Sequence, residues 1–123
     1  MRWINLIVGG VAGTLARYVL AGFVYEVMGT GFPYGTLVVN LSGCLIIGFL
    51  AVLAEEKFLL GPNARVLLMI GFCGAFTTFS TLMLETVDLI KDGESLRAFL
   101  NIALSIVLGF LFFRLGVFLA EII

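Results

Sequence analysis

The residues best suited to chemistry in this sequence are polar groups inside long apolar runs. The segment "GFCGAFTTFSTLMLET" (residues 71–86) places glycines, hydroxyls and a carboxylate directly after "VLLMI". At membrane depth, hydroxyls and amides can donate to an anion, and carbonyls freed by a helix break can bind a cation. Arg17, Asn40 and Ser105 interrupt other apolar runs in the same way. The chain has no His, the commonest general base and metal ligand, so we do not expect an enzyme.

The composition indicates a membrane protein. Of 123 residues, 62% are hydrophobic and 12% are charged, with a mean hydropathy of +1.21. Soluble domains carry about 25% charged residues, and a chain of this length cannot hide so much apolar surface from water. The net charge of −1 offers no basic surface for nucleic acid, so we expect the lipid bilayer and not nucleic acid as a partner. Cys44 and Cys73 lie inside apolar runs, and we interpret them as packing residues.

Four stretches are long enough to cross about 30 Å of hydrocarbon, which takes roughly 20 residues each. They form one four-helix domain over residues 1–123, and the expected spans are approximately 3–27, 34–54, 65–90 and 96–123. The short connections predict antiparallel neighbouring helices. Basic loop residues divide almost evenly between the two sides, with Arg2, Lys57 and Arg65 on one and Lys91 and Arg97 on the other. This balance fixes no single orientation, so an antiparallel two-fold dimer is compatible with the sequence.

Each polar group within a span has two interpretations. Arg17 either snorkels or pairs with a carboxylate for packing, or it lies at the mouth of an anion route. Asn40 either links helices through hydrogen bonds or points its amide into a pore, and the residues alone favour the first. Asn101, Ser105 and Gly109 share one face of the fourth span, which also fits close helix packing.

The third span has two distinct sides if it is one continuous helix. Thr77, Thr81 and Glu85 lie on one side, and Phe79 and Leu82 lie on the opposite side. The preceding "GFCGAFTT" is a weak helix former. An unwound turn there would free carbonyls suited to a hard monovalent cation. The alternative is an intact helix whose threonines bond to the preceding turn, and the residues alone favour it.

Three motifs together resemble one known family. They are "LARYVL" in the first span, "GTLVVNLSG" in the second and "GFCGAFTTFST" with a following Glu in the third. The whole chain resembles the CrcB/Fluc family of fluoride ion channels. The resemblance implies passive, fluoride-specific export that lowers cytoplasmic fluoride, through a multi-pass protein of the cell inner membrane. It further implies an all-α, antiparallel, dual-topology homodimer with two pores, in which the third helix is broken at its centre, over residues 74–77.

The resemblance also implies roles for individual residues. A structural sodium ion at the dimer interface would be bound by the carbonyls of Gly74 and Thr77 from each chain. Arg17 and Glu85 would lie at the vestibule. The fluoride pore would be lined by Asn40, Phe79, Ser80, Thr81, Leu82 and Ser105. Leu82 departs from the family, which usually has a second Phe there, and this leaves room for a heterodimer in which a paralogue supplies the ring.

Two other functions remain open at this point. A small dual-topology multidrug transporter also has four spans and an even charge balance. Such a transporter resembles this chain in size but needs a Glu at mid-membrane in its first helix, where this chain has Arg17 and reaches Glu26 only near the end. The other alternative is a non-transporting membrane subunit with a structural role.

Overall fold

The computed structural model describes residues 1–123 and contains only helices and their connections. Four helical segments are long and apolar enough to cross a membrane. The first helix is Arg2–Met28, the second helix is Tyr34–Glu55, the third span is Pro62–Lys91 and the fourth helix is Ser95–Glu121. The expected four crossings are therefore confirmed. The largest difference in bounds is at the start of the third span, expected near residue 65 and observed at Pro62.

Short connections held by hydrogen bonds join the four segments. Gly29 ends the first helix with φ of 85°, a left-handed conformation that favours glycine, and its N–H donates to Tyr25 O at 2.9 Å. At the opposite end, Arg65 Nη2 donates to Ala54 O at 2.6 Å and ties the third span to the end of the second helix.

Small residues let the helices pack with their backbones close together. A Cβ built on Gly13 of the first helix would overlap Phe72 O of the third span. On the other side of the molecule, a Cβ on Gly116 of the fourth helix would overlap Leu45 O of the second helix. Close approach through glycine is a common way of packing helices in lipid, where apolar burial gives no driving force between helices. The first helix thus packs on the third span, and the second helix packs on the fourth.

The third span is not one continuous helix. Gly74–Phe76 is helical, Thr77 (φ −91°, ψ 158°) and Thr78 (φ −151°, ψ 116°) are extended, and the helix resumes over Phe79–Lys91. The expected break is confirmed, and the intact helix that the residues alone favoured is wrong. The expectation that unwinding begins at Gly74 is also wrong, because Gly74–Phe76 keeps its helical geometry. The break lies at the two β-branched threonines, whose side chains favour extended backbone.

The first half of the third span (62–76) contains a second irregularity. Val66–Cys73 is wound as a π-helix, in which each N–H reaches back five residues instead of four. This segment lies against Gly9 of the first helix, where a Cβ would overlap Leu67 O. Nothing in the sequence pattern predicts this wider winding.

Candidate functional site

Asn40 of the second helix holds the break open. Its Nδ2 donates to Thr78 O at 3.1 Å, and Thr78 N–H donates to Asn40 Oδ1 at 2.9 Å. One side-chain amide thus replaces both partners that Thr78 would have in an intact helix. Backbone groups left unpaired in the hydrocarbon region cost several kcal/mol each, so this pair of hydrogen bonds makes the break tolerable. Asn40 does link helices, and one hydrogen of its amide remains for another acceptor.

Thr78 also restarts the helix. Its Oγ1 accepts from Thr81 N–H at 3.2 Å and donates to Thr81 Oγ1 at 3.0 Å. Ser80 Oγ lies 3.4 Å from the same Thr78 oxygen. This is the N-cap arrangement, in which a hydroxyl satisfies a free amide of the first turn. The resemblance assigned no role to Thr78, although a Thr just before an amphipathic stretch is a recognisable helix start.

Two carbonyls at the break lose their helical donors. In a continuous helix Thr78 N–H would donate to Gly74 O, and Thr81 N–H would donate to Thr77 O. Both amides donate to side chains instead, the first to Asn40 Oδ1 and the second to Thr78 Oγ1. Gly74 O and Thr77 O, the two oxygens assigned to sodium, therefore have no intrahelical partner. Neutral carbonyl oxygens are suitable ligands for hard monovalent cations.

A cleft of about 780 Å³ lies beside the break, lined by the first helix, the second helix and the third span. Arg17 and Glu85, the two residues assigned to the vestibule, both line it. They do not bond to each other: Arg17 Nε donates to Ala75 O at 3.2 Å, and Glu85 Oε2 accepts from Tyr25 OH at 3.2 Å. Glu85 Oε1 is buried without a partner. Pairing of Arg17 with a carboxylate is therefore wrong, and the contact made by Tyr25 was not foreseen.

A second cleft, of about 350 Å³, lies on the other side of the break. It is lined by Asn40, Phe79 and Leu82, so three predicted pore residues meet there. Phe79 is 73% exposed and Leu82 is 7% exposed, so only the phenylalanine ring projects from the chain. Thr77 lines this second cleft and not the larger one, which Thr81 lines. Placing both threonines on one side was wrong, because that prediction assumed a continuous helix.

Two of the predicted pore residues, Ser80 and Ser105, line neither cleft. Ser80 is exposed beside the break, whereas Ser105 lies on the fourth helix and its Oγ is buried without a partner. One turn earlier on the fourth helix, Asn101 is 1% exposed and its Nδ2 donates to Thr86 Oγ1 at 3.0 Å. Thr86 Oγ1 in turn donates to Leu82 O at 2.7 Å. This chain of hydrogen bonds fastens the second half of the third span to the fourth helix, and sequence reasoning did not find it.

Comparison with known proteins gives a consistent result. Residues 4–117 match the family described as "CrcB-like protein, Camphor Resistance (CrcB)". The "Fluoride-specific ion channel FluC" of Chlorobaculum tepidum is 49% identical, over 93% of this chain and 90% of the relative. The protein of the same name from Methylocella silvestris is 45% identical, over 94% of this chain and 90% of the relative.

A third relative, the "Fluoride-specific ion channel FluC" of Hydrogenobaculum sp., is 42% identical over the whole length of both chains. All three relatives are named as ion channels and not as enzymes. The four crossing helices make this chain a multi-pass membrane protein. Since the match extends through all four helices, the chain belongs to the CrcB-like protein family.

Proposed function

We propose that this chain forms a fluoride-specific channel of the cell inner membrane that lets fluoride leave the cytoplasm passively. The observation that carries the proposal is the break at Thr77 and Thr78, which Asn40 holds open beside the exposed ring of Phe79. The identity of the ion is taken from the relatives, which are named fluoride-specific ion channels and are 42–49% identical to this chain. No observation favours either alternative function, the multidrug transporter or the structural subunit.

Fluoride is small and strongly hydrated, so a route through protein has to replace its water with hydrogen-bond donors. The remaining N–H of Asn40 and the hydroxyls of Ser80 and Thr81 cluster within one turn of the break. The positive edge of the Phe79 ring adds a weak attraction for an anion. Neutral donors suit conduction, because binding has to stay weak enough for release. In this proposal Ser105 donates further along the route, from a buried hydroxyl that has no partner in the chain.

The membrane potential supplies the driving force in this proposal. An inside-negative potential favours outward movement of an anion by about 2.3 kcal/mol per elementary charge for each 100 mV. Arg17, at the larger cleft, raises the local concentration of anions before they reach the break. Fluoride export then needs no chemical step.

The proposed assembly is an antiparallel pair of chains with two pores. The exposed Phe79 ring and the exposed Gly74 are surfaces that a second copy would cover. Sodium would be bound by Gly74 O and Thr77 O of both chains, and it would supply positive potential without occupying the anion route. The donor set fits such an ion, because these oxygens have lost their helical donors and no group of three or more His, Cys, Asp or Glu side chains offers another site. Leu82 has no aromatic ring edge to attract an anion. A heterodimer with a paralogue that has Phe at this position would therefore conduct fluoride faster.

Flux measured on the purified chain tests the proposal. The protein is reconstituted in liposomes that are loaded with potassium fluoride and made permeable to potassium with valinomycin. These liposomes should release fluoride, detected with an electrode, whereas chloride-loaded liposomes should not release chloride. Protein-free liposomes give the background leak. Absence of fluoride release above that leak would favour the structural subunit, and proton-coupled efflux of cationic dyes would favour the multidrug transporter.

A further inference from the structure

Three sulfur-bearing side chains converge on the smaller cleft. Cys44 of the second helix lines it together with Met69 and Cys73 of the third span. Both cysteines are free thiols. Met69 and Cys73 are four residues apart in the π-helical segment, a spacing that brings side chains to the same side of a helix. The second helix faces them with Cys44, so sulfur comes from both walls of one cavity of about 350 Å³.

The Cys44 thiol also lies beside the fourth helix. A Cβ added at Gly109 would be 3.5 Å from Cys44 Sγ, an ordinary contact distance. Free cysteines in apolar runs are usually inert packing residues. Here the two thiols and the thioether line a cavity that also contains the polar Asn40, which is unlike a closed apolar core.

Sulfur ligands select soft, easily polarised metal ions. Thiolate and thioether sulfur favours Cu(I) and related ions, whereas carbonyl and carboxylate oxygen favours hard cations. The same cleft is lined by Gly74 and Thr77, whose carbonyls are hard ligands, so hard and soft donors lie side by side. A soft monovalent ion and an alkali ion would therefore use different atoms of this cavity.

We propose that Cys44, Cys73 and Met69 form one binding site for a soft monovalent cation, and that its occupation blocks the cleft. One ion binds per chain, between the thiols of the second helix and the third span. Binding breaks one S–H bond and forms one S–metal bond, and the proton is released to water: Cys–SH + Ag⁺ → Cys–S–Ag + H⁺. No electron is transferred, and the second thiol and the thioether bind as neutral donors.

Silver binding to the purified full-length chain tests the site. The chain in detergent is mixed with silver nitrate in chloride-free buffer, freed of excess ion by gel filtration, and analysed for silver content. We expect one Ag⁺ per wild-type chain. The Cys44→Ser and Cys73→Ser variants should each bind at least tenfold more weakly, and Met69→Leu should bind a few-fold more weakly. Two Ag⁺ per wild-type chain, with one left in each single variant, would show two independent thiols and overturn the shared site.

Fluoride release provides the second readout. Silver nitrate added to the liposomes described above should slow wild-type release at least tenfold, and the Cys44→Ser/Cys73→Ser double variant should be unaffected. Fluoride does not precipitate silver, so the assay is compatible with the probe. One Ag⁺ bound without slower release would overturn the blocking role but not the binding site. Because silver content is measured without flux, a chain that binds silver but conducts no fluoride would count against the proposed function alone.

Discussion

Replacing Asn40 with Asp tests the site most directly, because the two side chains have the same shape, but an ionised Asp lacks the NH₂ donor group and carries a negative charge. The Asn40 amide donates to Thr78 O and accepts from Thr78 N–H. An ionised carboxylate keeps the acceptor but loses the donor. Thr78 O then has no partner and faces a negative charge, and an anion in the cleft faces the same charge. The substitution should therefore lower the stability of the break and the rate of fluoride conduction.

The two effects can be estimated separately. Leaving Thr78 O unpaired costs about 1–3 kcal/mol of stability. Two unit charges roughly 6 Å apart repel by about 3 kcal/mol at an effective dielectric constant of about 20. Since every 1.4 kcal/mol is about tenfold in an equilibrium constant, fluoride occupancy of the cleft should fall roughly 100-fold. The two costs are similar in size, and only the second acts directly on fluoride.

The assay compares fluoride release from liposomes containing wild type, Asn40→Asp or Asn63→Asp. Asn63 is exposed at the start of the third span, so its variant adds the same charge away from the break and should conduct like wild type. The thermal unfolding midpoint of Asn40→Asp should rise as the pH falls, because a protonated carboxyl can again donate to Thr78 O. Fluoride release by Asn40→Asp within threefold of wild type would refute the assigned role of the amide.

Three further predictions concern the surroundings of the break. Arg17→Gln removes the positive charge of the larger cleft and should slow fluoride release about tenfold at low ionic strength. The effect should be smaller at about 0.5 M salt, which screens the charge. An equal effect at both salt concentrations would rule out attraction by charge. Gly43→Ala should lower stability by about 1–3 kcal/mol, seen as a lower unfolding midpoint, because its Cβ overlaps Thr77 Cγ2. The control Gly10→Ala, with no atom within 4 Å of the added Cβ, should not lower that midpoint, since Ala favours a helix over Gly. Exhaustive replacement of Na⁺ by N-methylglucamine should abolish fluoride release and restoring Na⁺ should recover it, whereas unchanged release would exclude the sodium site.

The sequence predicts the four crossings because each depends on local composition. About 20 apolar residues between charged turns are a signal that tertiary structure does not alter. The break is different. Glycines and threonines weaken a helix without fixing where it opens, and the residues alone favoured an intact helix. Only the motif resemblance predicted a break, and it lies at Thr77 and Thr78 instead of starting at Gly74.

The contacts of the site could not be predicted from local pattern. Asn40 meets Thr78 across 38 residues of sequence, and Tyr25 meets Glu85 across 60. No periodicity connects such pairs. The side assigned to Thr77 was wrong for a related reason. The two extended residues at the break rotate the two halves of the third span relative to each other, so helical periodicity does not carry across the break. Thr81 and Glu85, which follow the break, do line one cleft as predicted.

The hydrogen bond from Arg17 to Ala75 O has a consequence for biosynthesis. The acceptor is made 58 residues after the arginine, so the first helix leaves the ribosome carrying a cation without this partner. An arginine at the bilayer centre costs about 2.5–3.5 kcal/mol on insertion scales. The first helix therefore enters the membrane before this hydrogen bond can form, and the bond fastens it only after the third span has been made.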